Sequence, residues 1–182
     1  MSEDVIVHPF GEVESDLIEA VDVSVKRRFR MRVRLGERLS VPARSYSRER
    51  GQYLSTELLN VLATQVHDHA RARLGITSVD LFVPELNFVF GEASTTLGAA
   101  VFSTVRLDPR AYKETENPLL FIRRATTEAV HELGHVFGLG HCKQSSCVMW
   151  FSNTLSETDR KGSEFCLRCA KLLGPLVCAS GR

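Results

Sequence analysis

Residues 131–141 read HELGHVFGLGH, and the spacing inside that run decides how the whole chain is read. His131 and His135 stand four apart, so on a helix they share a face and both imidazoles can reach one ion. Zinc favours neutral imidazole nitrogens, and a catalytic zinc site keeps one position open for water. The metal lowers the pKa of that water to about 7 and polarises a carbonyl, while Glu132 beside it can accept the proton. A His-Glu-x-x-His run alone also arises on ordinary surface helices, so the continuation carries the argument. Gly138 follows His135 by three residues and His141 follows Gly138 by three. Were the helix to run on, His141 would point away. A glycine can take a left-handed conformation, end the helix and turn His141 back towards the ion.

Outward from that run, the chain has 182 residues, 43% apolar and 25% charged, with a net charge of +1. Those values indicate a folded domain and give no electrostatic reason to seek nucleic acid or an anionic membrane. The first ten residues, MSEDVIVHPF, carry no basic stretch leading into a long apolar run, and no segment reaches a membrane span. A monomeric protein of the cytoplasm, bound neither to membrane nor to nucleic acid, is the expectation.

The apolar periodicity predicts a strand at 5–8, a helix over 13–29 and a strand over 30–35, where basic and apolar residues alternate. Residues 36–53 read as loop. A second helix is predicted over 56–74, capped by Ser55 and ended by Gly75. Three strands follow at 79–83, 86–90 and 99–107, separated by Pro84 and by the stretch 91–98. Asn117 and Pro118 open the long helix that carries the histidines to about Gly138, and a final helix is expected over 163–173.

The five cysteines (142, 147, 166, 169 and 178) all lie near the C-terminal end. Nothing addresses the chain to an oxidising compartment, so metal binding fits them better than disulfides. Cys142 with Cys147, and Cys166 with Cys169, form two close pairs across a loop, the layout of a closed four-thiolate zinc site. Cys178 is left over, an inert thiol on this reading. His141 and Cys142 are adjacent, so the two metal sites are joined through one peptide bond.

The run H-E-x-x-H-x-x-G-x-x-H is the metzincin signature, and Met149 stands where that family carries its methionine turn. The combination of His141, Cys142, Cys147, Val148 and Met149 with Cys166 and Cys169 resembles the archaemetzincin family, and the likeness extends back through residues 80–84 and 86–91. The resemblance implies an α/β fold: a metzincin-like mixed sheet with one antiparallel edge strand, packed by helices including the active-site helix, and a small zinc-stapled C-terminal subdomain. Residues 1–139 would form the N-terminal part and 140–182 the C-terminal one. It also implies two Zn2+ per chain, one catalytic on His131, His135 and His141 and one structural on Cys142, Cys147, Cys166 and Cys169.

The expected activity is hydrolysis of peptide bonds in a peptide or protein substrate, with Glu132 as general base and then acid. The rival is a zinc-stabilised peptide-binding module with little or no turnover; Glu132 argues against it, since a structural site needs no base. Metzincins hold substrate along an exposed edge strand, for which residues 86–90 are the candidate and 99–107 the inner neighbour. Some metzincins carry a tyrosine two residues past the turn methionine; here that position is Phe151, which has no donor. Trp150 and Phe151 are read as support or lining of the pocket. The basic run at 26–34 reads as a solvated helix end and strand, His8 as structural, and His67 and His69 as too poorly aligned to share an ion.

Overall fold

A computed structural model describes residues 4–66, 70–152 and 154–177. The central feature is a strand buried on both faces. β1 (Asp4–Phe10) pairs in parallel with β2 (Arg32–Leu35) on one side and with β5 (Ala70–Thr77) on the other. β5 pairs in parallel with β8 (Ala99–Ser103), and β7 (Gly91–Ser94) closes the sheet antiparallel to β8. The order is β2-β1-β5-β8-β7, a mixed sheet with one antiparallel edge strand, as expected. A second, three-stranded sheet joins β3 (Tyr46–Ser47), β4 (Gln52–Leu54) and β6 (Leu81–Phe82).

Successive side chains of a strand face opposite ways, and β8 shows it directly. Ala100 and Phe102 join the core under α1 (Ser15–Arg28) and α3 (Pro118–Val136), whereas Ala99 and Val101 join the core under α2 (Ser55–Ala63). Helices therefore cover both faces. Two short helices, α4 (Leu155–Arg160) and α5 (Leu167–Leu173), follow α3. No helix among the described residues is long and apolar enough to cross a membrane.

The predicted helix over 56–74 is half wrong. It stops at Ala63, and residues 70–77 are β5, the central strand. Alanine, arginine and leucine favour helix weakly, but hydrogen bonds to β1 and β8 on both sides outweigh such a propensity. Ser55 is the first helical residue and not the cap; its hydroxyl donates to Phe82 O and to Glu92. Residues 86–90 form no strand beyond a single bridge from Val89 to Leu81, and the edge strand is instead β7. The last helix begins at Leu167 with Cys166 as its cap, and α4 was not anticipated.

Much of the basic run is paired within the molecule: Lys26 with Asp22, Arg28 with Glu164, Arg32 and Arg34 with Asp4. His8 is buried, its Nδ1 2.8 Å from Glu37 O, in keeping with a structural role. His67, His69 and Cys178 lie outside the described residues.

Candidate metal centres and cleft

Asn117 accepts a hydrogen bond from Leu120 N and Pro118 supplies the first helical residue, so α3 starts where the sequence indicated. Nineteen residues later it ends in a Schellman turn: Gly138 N donates to His135 O and Leu139 N to Gly134 O, both at 3.0 Å. Gly138 takes φ +91°, the left-handed region that turn requires. The reversed chain brings His141 back beside α3, with its ring centroid 5.5 Å from that of His131 and 4.8 Å from that of His135.

Both helical histidines are oriented from behind. His131 Nδ1 lies 2.7 Å from Val148 O and His135 Nδ1 2.7 Å from Leu139 O. A carbonyl only accepts, so each Nδ1 carries the proton and each Nε2 is left with a lone pair. The two Nε2 atoms nevertheless stand 3.1 Å apart. Two lone pairs at that distance repel unless a cation lies between them, and a tetrahedral zinc with bonds of 2.0–2.1 Å would set its nitrogens about 3.3 Å apart. Burial lowers the pKa of all three histidines, His131 furthest, which keeps the imidazoles neutral and ready to ligate. Together the three residues offer one ligand atom each within 4.8 Å of one another.

Cys142, Cys147, Cys166 and Cys169 form the second group, also within 4.8 Å. Cys142 Sγ and Cys166 Sγ lie 3.8 Å apart, about the edge of a tetrahedron built on zinc–sulfur bonds of ~2.3 Å. Backbone amides face the sulfurs: Cys166 N donates to Cys147 Sγ at 3.3 Å and Gln144 N to Cys142 Sγ at 3.4 Å. Burial opposes ionisation of Cys166, but hydrogen bonds from Cys169, Cys147 and Cys142 outweigh it and hold the thiol at about 7.

The two groups are wired together by the segment between them. Val148, which holds His131, follows Cys147 directly, and its N–H donates to Glu164 O. Cys142 N donates to Met149 O at 2.8 Å. Met149 is fully buried against Gly134, between the two helical histidines.

The histidines open into a cleft of about 720 Å³, walled by residues 86–93 on one side and by Gly140, Phe151 and Ser152 on the other. Glu132 lines it, buried, beneath the start of β7; a Cβ on Gly91 would stand 2.7 Å from Glu132 Oε1. Burial, followed by the neighbouring Glu128, pushes the Glu132 carboxyl well above the usual carboxylate range. Phe151 lies over His141 with centroids 4.5 Å apart, whereas Trp150 is not among the lining residues.

Three carboxylates line the cleft, and sequence reasoning named only Glu132. Glu128 stands one turn before it on α3, a spacing that was visible; its partner Lys161 gave no local signal. Glu92, on β7, accepts from the hydroxyls of Ser55 and Thr56.

Comparison with known proteins gives one consistent answer. The model of Peptidase family M54 matches residues 3–174. The archaemetzincin of Methanopyrus kandleri is 43% identical over 169 residues, covering 92% of this chain and 86% of its own. That of Pyrococcus furiosus is 39% identical over 180 residues, covering 95% and 93%. Among solved structures, the M. kandleri archaemetzincin superposes with a TM-score of 0.84 at 37% identity, covering 94% and 93% of the two chains. The archaemetzincin of Archaeoglobus fulgidus, complexed with malonate, gives 0.79 at 35%, covering 93% and 99%. A zinc-dependent peptidase from Methanocorpusculum labreanum gives 0.79 at 27%, covering 93% and 100%.

Proposed function

Since the chain belongs to peptidase family M54, and so is a zinc-dependent metallopeptidase, we propose that its cleft hydrolyses peptide bonds with His131, His135 and His141 as zinc ligands and Glu132 as general base. The observation that carries this is the pair of Nε2 atoms held 3.1 Å apart by carbonyls behind both rings, an arrangement that a bound cation satisfies. When bound, zinc supplies Lewis acidity, lowering the pKa of water and polarising a carbonyl.

The protein's own groups do the rest. Glu132 takes the proton of the attacking water and returns it to the leaving amine. Gly91 gives its carboxylate room, and the walls of α3 and β7 keep it out of bulk solvent. β7 is paired on one side only, so its outer edge can hold an extended peptide by main-chain hydrogen bonds. Met149 serves as the turn methionine beneath the ligands. Cys142, Cys147, Cys166 and Cys169 bind a second zinc that staples residues 140–182 as a subdomain onto residues 1–139.

Zinc stoichiometry joined to a peptide-library cleavage screen tests the proposal, with Glu132→Gln as control. Two zinc ions per chain are expected, with cleavage falling by about 10²–10⁴-fold in the variant. Two zincs without cleavage of any peptide would instead support a binding module, and one zinc would undo part of the ligand assignment.

A further inference from the structure

The wall of the cleft formed by residues 86–90 has almost no secondary structure of its own. One bridge, Val89 N to Leu81 O at 3.0 Å, ties it to β6. Its two ends are held by Leu86 N to Val83 O at 3.1 Å and by Ser103 N to Phe90 O at 2.8 Å. A stretch with so few backbone bonds, exposed at Leu86 and Asn87, should fray into the cleft that it lines. The side chains of Arg50, Gln52 and Arg106 take the place of the missing strand. Arg50 Nη2 donates to Leu86 O at 2.6 Å and to Asn87 O at 3.1 Å, and Gln52 Nε2 donates to Asn87 O at 3.0 Å. Gln52 also donates to Asp80 Oδ2, and Asp80 receives both arms of Arg106, at 2.6 and 2.7 Å.

Each guanidinium also lies over a ring: Arg50 Cζ 4.4 Å from the centroid of Phe82, and Arg106 Cζ 4.2 Å from that of Phe88. Phe88 is in turn set edge-on against Phe90, with centroids 5.2 Å apart. Cation–π contact and planar hydrogen bonding from one guanidinium fix a segment in both position and orientation.

This pattern has a consequence for recognition. The carbonyls of Leu86 and Asn87 and the N–H of Val89 are already engaged inside the protein. The segment thus faces the cleft with side chains, among them Leu86, 46% exposed, and Phe88, while those three main-chain groups are spent inside the protein. Main-chain recognition falls to β7, and side-chain recognition to the clamped wall.

Resting on the peptidase reading of this cleft, we propose that Arg50 and Arg106 are positioning residues: by clamping residues 86–90 they set the affinity for an apolar substrate side chain beside the scissile bond. Arg50 carries the test, because its guanidinium is at the surface and its loss leaves no buried charge unpaired.

The experiment compares Arg50→Met and Arg50→Lys with the parent in a Glu132→Gln, zinc-loaded background, where turnover is about 10²–10⁴-fold slower. Hydrogen exchange is measured at the amides of Leu86 and Val89. Affinity is measured for two peptide series that carry leucine or glycine beside the scissile position. In Arg50→Met, exchange at both amides should accelerate about tenfold, with zinc content unchanged. The leucine series should lose about tenfold in affinity and the glycine series less than twofold. Arg50→Lys, which keeps the charge but not the fork, should fall between the two. Unchanged exchange would overturn the clamp, and an equal loss in both series would overturn its role in side-chain recognition. The exchange readout needs no cleavage by the wild type, so a failure of the peptidase proposal would show separately, in the library screen.

Discussion

Met149 occupies the space that a side chain at residue 134 would need: a Cβ on Gly134 would collide with Met149 Sδ and stand 3.0 Å from its Cε. The helix bearing two metal-binding candidates is thus in direct contact with the segment that carries the four cysteines. On helix propensity alone, Gly134→Ala would stabilise the protein by about 1 kcal/mol. With Met149 fully buried, overpacking costs about 1–3 kcal/mol and reverses the sign. Calorimetry should show a lowered Tm, and dialysis a faster loss of zinc; a raised Tm would contradict the close approach.

Lys161 Nζ lies 2.7 Å from Glu128 Oε1, with side-chain exposures of 0% and 3%. Removing one partner strands a charge away from water. Lys161→Met should therefore lose about 3–5 kcal/mol of stability. Adding Glu128→Gln should recover most of that loss, because no unpaired charge remains. A urea-denaturation double-mutant cycle measures both, and additive losses would count against the pairing.

Cys166 never touches the histidines, yet Cys166 N donates to Cys147 Sγ, Val148 follows Cys147, and Val148 O orients His131. Cys166→Ser should accordingly weaken zinc at the histidine site as well as at the cysteine site. The expected loss at the histidines is about 10–100-fold, as when a group behind a ligand is removed. Competition against a chelator reads the two affinities separately. If the variant lost one zinc and kept the other at wild-type affinity, this coupling would be excluded.

Asp4 is buried at the start of β1, where burial raises its pKa, but the Arg32 and Arg34 guanidiniums outweigh burial and hold the carboxyl below its usual range. A carboxyl depressed in the folded state binds its proton more readily when unfolded. Its stabilising contribution is therefore fully present above the unfolded pKa of about 3.9 and vanishes as pH falls through the lower folded value. The Tm gap between wild type and Asp4→Asn should be widest near neutrality and close as pH drops below about 4. A gap independent of pH would mean that the β1–β2 ion pairs contribute nothing.

Much of the site was legible because its residues are close in sequence. His131, Glu132, His135 and Gly138 are brought together by one helix and its cap, and local geometry follows from local spacing. Cys142 and Cys147 are local too, as are Cys166 and Cys169. What was misread depended on neighbours. Residues 70–77 carry helix-forming residues but lie between two strands far away in the chain. Residues 86–90 look like a strand and are instead held by Arg50, Gln52 and Arg106.

By itself, then, the order of residues determined the family and singled out the candidate ligands and the candidate base, since these need only the right side chains at short spacings. The tertiary structure alone decided which strand forms the free edge, which carbonyls orient His131 and His135, and that Lys161 reaches Glu128 and Met149 reaches Gly134. Those are contacts between segments distant in the chain, and no local propensity encodes which pairing wins once the hydrophobic faces of the sheet are buried.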